Sequence, residues 1–387
     1  MTQETVTMST RELKRSDVME RLQRGELLLK EAAWLMKVSV RQAIRIRKRF
    51  LTGNAVGLVH RSRGMPSHHR AEPELKRRVL AVYADRYPGF GPTLAAEKME
   101  EYEKILIHHE TLRRWLIDDH QWQKGTKERI HRSKRPRRER FGELLQIDGS
   151  DHLWFGEEGP RTTLMVLVDD ATGHLALHMT REETTQAALT VLRKWVKAHG
   201  VPAALYADRR TVYFTEAFVQ EPDRRRDPAV FTEFMKVTDR LGIEMIPAYS
   251  PQAKGRVERA NETLQDRLVK EFGLLGIATI EAANAMLDDY AAQHNQRFEK
   301  IPARQADAHR TRPRGKNEWE YCFCTESQRV VQKDNTVSYK GEQWQILAQP
   351  GAPPPGSRIV RRHPLVGQPC WIWGEKRLRT RFLGRAR

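Results

Sequence analysis

Cysteine is nearly missing from this chain, with three in 387 residues. That is too few to staple a secreted scaffold through disulfides. Long apolar runs are missing too: no stretch reaches the ~18 apolar residues of a membrane span. The first residues, Met1-Thr-Gln-Glu-Thr-Val-Thr7, lack the apolar centre of a secretion signal. Glycine and proline, 24 and 19, stay at ordinary levels and exclude collagen-like or wholly disordered classes. These absences lead to the expectation of a soluble, cytoplasmic protein with no membrane partner. At roughly 100–200 residues per domain, the length suggests two to four domains. Acid is the remaining shortage. Against 68 Lys and Arg stand 50 Asp and Glu, a net charge of +18. A field of that sign favours a polyanion, nucleic acid first.

The excess charge is concentrated. Residues 124–140 hold nine Lys/Arg against two Glu, and residues 358–387 hold nine against one. The first segment has no apolar period and reads as a basic linker laid along phosphates, with Arg135, Arg137 and Arg138 among its contacts.

Residues 9–58 read as a helix-turn-helix domain. Ser9 or Thr10 can cap a first helix that Gly25 ends, Lys30–Met36 forms a short second one, and Ser39 caps a third over Val40–Phe50. On the third helix Ala43, Ile44 and Phe50 face inward. Arg41, Arg45 and Lys48 face outward, as expected for a helix entering the major groove of DNA. Residues 72–123 read as a second unit of the same kind. An amphipathic helix from Pro73 is followed by a turn at Pro88–Pro92, a helix from Thr93, and a short basic helix, His108–Ile117, presenting Arg113 and Arg114. The pair His108-His109 is not read as zinc-binding, because no Cys lies in the first 300 residues.

The pattern changes at Phe141, where residues 141–300 read as an α/β catalytic core. Short apolar runs at Glu143–Asp148, Thr162–Val168 and Leu175–Met179 give three strands, the last two a hairpin. A helix over Thr184–His199, a strand Ala203–Asp208, a helix Ala229–Leu241, a strand Glu244–Pro247 and a helix from Gly255 follow, then a helix Ile280–Asn295. An antiparallel edge followed by parallel strands defines the layer.

Two aspartates, Asp148 and Asp208, end strands expected side by side, and Glu258 sits early in the later helix. Converging carboxylates repel one another unless cations neutralise them. Hard oxygen ligands of this kind suit Mg²⁺ or Mn²⁺. Two such ions can stabilise the attacking and leaving oxygens of a displacement at phosphorus. From residue types alone Asp151, Asp169 and Asp170 compete for these roles.

The stretch Ala248-Tyr-Ser-Pro-Gln-Ala-Lys-Gly-Arg-Val-Glu-Arg-Ala-Asn261 resembles the signature around the glutamate of integrase-core transposases, S/N-P-Q-x-x-G-x-x-E-x-x-N. Gln146-Ile-Asp148 and Leu205-Tyr-Ala-Asp208 resemble the two aspartate motifs. The chain as a whole is similar to bacterial insertion-sequence transposases of the ISNCY type. The resemblance implies a ribonuclease-H-like core in which Asp148, Asp208 and Glu258 are both catalytic residues and ligands of two Mg²⁺ or Mn²⁺ ions. It implies a homo-oligomer acting on double-stranded DNA, both transposon ends and target. Asn261 shares the face of Glu258, and Lys254 and Arg256 flank the helix start, where all three can contact DNA. The chain departs from the family at Ala207, where Ser is usual, and at Arg209-Arg210, where a His-containing pair is usual. A polar insertion at residues 220–228 is a further departure.

Residues 325–387 read as a small β-barrel with a basic tail, similar to the SH3-like C-terminal domain of the same family. It is expected to contain hairpins turned at Lys333–Thr336 and Lys340–Glu342. Cys322, Cys324 and Cys370 read as packing residues. The leading expectation is a D-D-E transposase that cleaves DNA with metal-activated water and joins the 3′-OH to target DNA. The alternative is a transposase-derived DNA-binding regulator without catalytic activity. A simple nuclease would not explain two helix-turn-helix units.

Overall fold

The computed structural model describes residues 7–60, 62–63, 71–123, 125, 135–249, 254–313, 315–374 and 376–385. Most of the basic linker, residues 124 and 126–134, and the Ser250–Ala253 part of the glutamate motif lie outside the described residues. The chain forms two compact units, Met1–Asp85 and Arg86–Arg387. Among the described residues no helix is long and apolar enough to cross a membrane.

In the first unit α1 (Thr10–Gln23), α2 (Leu29–Leu35) and α3 (Val40–Gly53) surround a core of Val18, Met19, Ala32, Ala33, Met36, Ala43, Ile46, Phe50 and Leu58. Ser9 and Glu12 form a reciprocal capping box at the start of α1. On α3 the buried stripe is Ala43, Ile46 and Phe50, while Ile44 is exposed. The expectation for Ile44 is therefore corrected. Positions 43, 46 and 50 fall on one helical face, and position 44 is turned about 100° from 43. The chain continues into α4 (Pro73–Arg86), which buries Val79 and Tyr83.

The second unit opens with α5 (Pro92–Glu103) and α6 (His109–Asp118), then a mixed α/β layer. Its strands are β1 (Leu144–His152), β2 (Thr162–Asp169), β3 (Leu175–Thr180), β4 (Ala204–Ala207) and β5 (Glu244–Pro247), ordered β3-β2-β1-β4-β5. The first three pair antiparallel, while β4 runs parallel to both β1 and β5. The helices are α7 (Thr185–His199), α8 (Glu216–Gln220), α9 (Glu233–Arg240), α10 (Gly255–Leu275) and α11 (Ile280–Phe298).

Strand alternation sorts the core into two halves. Leu145, Ile147, Met165 and Leu167 pack with α7 and α9 around Trp195 and Phe234. Leu164, Val166 and Val168 pack with Val257, Leu264, Leu268 and Phe272 of α10 and with α11. β2 is buried at every position because both of its faces are covered. The outer edge of the sheet is finished by side chains. Asn284 and Asn295 of α11 each accept a backbone N–H and donate to the carbonyl of the same residue, Met179 and Leu175 respectively, at 2.8–3.0 Å. Lys194 Nζ reaches the Leu177 carbonyl at 3.3 Å.

The helix expected from Ala229 starts later. Asp227 caps a single tight turn over Pro228–Val230, and Thr232 then caps α9. Each side chain takes a local N–H, at 2.9 and 3.1 Å, which breaks the segment in two.

After α12 (Lys316–Cys322) come β6 (Cys324–Val330), β7 (Thr336–Tyr339), β8 (Glu342–Ile346), β9 (Arg358–Pro364), β10 (Cys370–Trp373), β11 (Lys376–Leu378) and β12 (Thr380–Arg385). They form two sheets, β11-β10-β9-β6 and β12-β8-β7, around Val337, Ile359 and Trp371. β7 and β8 form the hairpin expected at Lys340. The hairpin expected at Lys333–Thr336 is corrected: β6 pairs with β9 instead. Asp334 takes the Thr336 N–H and hydroxyl at 3.0 and 2.7 Å, turning the chain out of one sheet into the other.

Burial pushes the imidazoles of His199 and His294 down to about 4, against 6.5 in the open chain. Between these values the unfolded state binds more protons, so stability falls as pH drops from 6.5 toward 4. Denaturant unfolding at stepped pH should show that loss, and His294→Gln should flatten the slope.

Candidate active site

Alternate residues of β1 face α10. Gln146 is fully buried, and its Oε1 accepts the Val257 N–H at 3.2 Å, one of the donors that a helix start leaves unpaired. Two residues on, Asp148 accepts from Asn261 Nδ2 at 3.0 Å and from Lys254 Nζ at 2.7 Å. Two further, Ser150 Oγ accepts from Gln265 Nε2 at 3.0 Å. A period of two on the strand thus meets a period of 3.6 on the helix. Glu258 lies three residues from Asn261 and four from Lys254, on the same helical face.

β4 brings the second aspartate. Its parallel register pairs Leu144 with Ala204 through Gln146 with Tyr206, and Asp208 follows just past the strand end. Lys254 Nζ lies 3.9 Å from Asp208 Oδ2, so one ammonium serves both carboxylates. Asp208 also takes Arg210 Nε at 3.0 Å and the Arg210 N–H at 3.2 Å. Arg210 extends its other arm to Glu183, whose second oxygen accepts the Tyr213 hydroxyl at 2.7 Å. Burial pushes the Glu183 carboxyl up, and burial pushes the fully enclosed Tyr213 hydroxyl well above its usual range.

Two observations bear on whether a divalent cation fits here. The hard-oxygen donors Asp148 and Asp208 already share one cationic group, the Lys254 ammonium. Asn261 Oδ1, whose amide partner touches Asp148, is buried without a hydrogen-bond partner among the described residues. Among the described residues no group of three or more His, Cys, Asp or Glu is close enough to hold a metal, so Glu258 is not gathered with the two aspartates. Asp148 and Asp208 carry the hard oxygens that a divalent cation takes, and the Lys254 ammonium is the positive charge they share.

The competing acids have other tasks. Asp169 closes its turn by accepting the Gly142 and Thr172 N–H groups at 2.9 and 2.7 Å. Asp151 is exposed and pairs with Arg161. Asp170 is fully buried and gathers Arg135, the Arg138 N–H at 2.8 Å and Gln146 Nε2 at 2.8 Å, with Arg256 Nε at 3.8 Å. Arg137 donates to the Asp170 and Ala171 carbonyls at 3.2 and 3.0 Å, and Arg256 to the Arg135 carbonyl at 2.8 Å. Arg138 also reaches Glu143 at 3.5 Å. In this structure residues 135–138 lie against the core. This stretch is clamped to the core because a buried carboxylate requires cationic partners.

Elsewhere, Arg41, Arg45 and Lys48 are exposed on one face of α3 and form no ion pair among the described residues. Arg113 pairs with Glu110 at 2.6 Å, whereas Arg114 stays largely exposed. Sequence reasoning missed Gln146 as a linchpin and missed Glu183 and Tyr213 altogether. Only the unusual Arg209-Arg210 signalled that something nearby differs.

Fold and site together define a mixed α/β core with paired aspartates on adjacent strands, one on β1 and one just past the end of β4. No protein-family model matches the chain. It is 37% identical over 336 residues to y4bF of Sinorhizobium fredii (strain NBRC 101917 / NGR234), named as a transposase, covering 87% of this chain and 72% of that one. It is 29% identical over 323 residues to the transposase for insertion sequence IS1202 of Streptococcus pneumoniae, covering 74% of this chain and 68% of that one. Among solved structures, the catalytic core domain of BIV integrase shares 23% identity, covering 38% of this chain and 80% of that one, with a TM-score of 0.27. The chain belongs to the transposases.

Replacing Gln146 by Leu leaves Asp170 and the Val257 N–H each short of a buried partner. A loss of about 3 kcal/mol is expected, readable as a shift in the urea midpoint.

Proposed function

We propose that this transposase cleaves and joins DNA with Asp148, Asp208 and Glu258 as its catalytic carboxylates. The observation that carries the reading is the single ammonium shared by Asp148 and Asp208 on the helical face that presents Glu258. The three carboxylates would hold Mg²⁺ or Mn²⁺, two ions in the working site. Bound there, such ions supply positive charge to the attacking and leaving oxygens of an in-line displacement at phosphorus.

The rest falls to the chain's own groups. Lys254 leaves the aspartates and turns its charge to a backbone phosphate at the start of α10, where helix N–H groups also favour an anion. Asn261 keeps Asp148 oriented, and Arg256 keeps the helix start tied to the core. Water attacks the phosphorus at a transposon end, the P–O3′ bond breaks, and a 3′-OH is released. That hydroxyl then attacks a target phosphodiester and displaces its 3′ oxygen. Arg41, Arg45 and Lys48 are the cations suited to a major groove, with Arg113 and Arg114 as a second reading head. Joining two ends calls for more than one copy of the chain on DNA.

Asp148→Ala, Asp208→Ala and Glu258→Ala should each abolish nicking of an end-containing duplex in Mg²⁺ while binding persists by gel shift. Wild-type nicking by any of them overturns the assignment. Absence of nicking by the native protein on its own ends would favour a DNA-binding regulator instead. The triple change Arg41→Ala, Arg45→Ala, Lys48→Ala should lower the salt slope of DNA binding by about 2–3, measured by titration at stepped salt.

A further inference from the structure

Arg210 stands between two carboxylates with only one guanidinium to offer. Its Nε lies 3.0 Å from Asp208 Oδ2, and its Nη1 pairs with Glu183 Oε2. The two acceptors differ in setting. The Glu183 side chain is 7% exposed and that of Asp208 26%. Glu183 is held from behind by the hydroxyl of the enclosed Tyr213. Room for it is made on β1: a Cβ at Gly149, next to Asp148, would meet Glu183 Oε2 at 2.6 Å. A side chain set into a gap in the strand, fixed by a buried hydroxyl, is a rigid post. Asp208, at a strand end facing Lys254, is the more accessible partner.

We propose that Glu183 is a positioning residue that draws Arg210 away from Asp208, so that Asp208 can give its oxygens to a divalent cation. The inference rests on the carboxylate triad proposed above. A cation arriving at Asp208 repels the nearby guanidinium at close range, where the half-exposed position of Arg210 leaves it room to swing toward Glu183. With Glu183 present, Arg210 keeps a fixed partner on the far side and withdraws at little cost. Without that charge, Asp208 is the stronger remaining acceptor for Arg210, and the guanidinium competes with the metal. Tyr213 and Gly149 serve the same arrangement, one by anchoring the post and the other by leaving space for it. This accounts for Arg210, two residues after the second aspartate: it has a carboxylate of its own.

The test is Mn²⁺ binding to the full chain without DNA, read from the free-ion electron paramagnetic resonance signal, alongside nicking as a function of Mg²⁺. Glu183→Gln should raise the half-saturating Mn²⁺ by roughly tenfold, the scale of one lost charge partner. The maximal nicking rate at saturating Mg²⁺ should change far less. Tyr213→Phe should move the constant in the same direction by a smaller factor. Adding Arg210→Gln to Glu183→Gln should bring it back toward the native value, because the competitor is gone. Arg210→Gln alone should tighten Mn²⁺ binding, which keeps the idea testable if Glu183→Gln does not fold.

An unchanged Mn²⁺ constant in Glu183→Gln overturns the inference. So does a double variant as weak as Glu183→Gln, or no tightening in Arg210→Gln. Asp148→Asn and Asp208→Asn separate the two levels. If they still bind Mn²⁺ as the native chain does, the triad itself fails. If they lose it while Glu183→Gln binds normally, only the role of Glu183 fails.

Discussion

Every second residue of β1 touches α10, and the catalytic reading depends on that register. Gln146 holds the helix by a backbone N–H in its first turn, Asp148 holds it by Asn261 and Lys254, and Ser150 by Gln265. A slip of one residue along the strand would turn all three side chains to the opposite face. Apolar packing of Val257, Leu264, Leu268 and Phe272 on β2 supplies most of the adhesion. It does not choose between neighbouring registers as sharply as three directional polar contacts do. The polar contacts therefore select the alignment, and the apolar ones hold it.

The same alignment explains why so many charges gather without forming a simple pair. Asp148 and Asp208 are answered by Lys254 and Arg210, Glu183 by Arg210, and Asp170 by Arg135 with help from Arg256. Each of these four acids has a cation drawn from a different element: α10, the turn after β4, or the segment before β1. Tension between acids is thereby converted into cross-links between elements. Gln146 joins the two groups, one amide edge on Asp170 and the other on Val257.

Much of this was legible in the sequence, and what was not has physical reasons. Strand-end acids and a glutamate early in an amphipathic helix are local patterns, but Asp151, Asp169 and Asp170 compete on residue type, and it was the resemblance around Glu258 that singled out Asp148, Asp208 and Glu258. The face of α3 could be read only to within a neighbour, since Ile44 and Ile46 are equally apolar and the choice belongs to packing. The start of α9 was misread because Asp227 and Thr232 compete with helix hydrogen bonds that composition alone favours. The partner of β6 was misread because strand pairing across some thirty residues leaves no local trace. The contact of residues 135–138 with Asp170 could not be read, because that acid follows β2 and is brought back only by the fold. Glu183 was invisible for the same reason: its partners lie 27 and 30 residues away.

The two asparagines of α11 have a consequence for how copies of this protein can meet. A strand at the margin of a sheet ordinarily displays donors and acceptors that a strand from another molecule can adopt. Here the amides of Asn284 and Asn295, with Lys194, occupy those groups on β3 and mimic a sixth strand built from side chains. That margin is closed to a strand from another copy, so any contact between copies at this sheet has to use its other edge, at β5, or side chains.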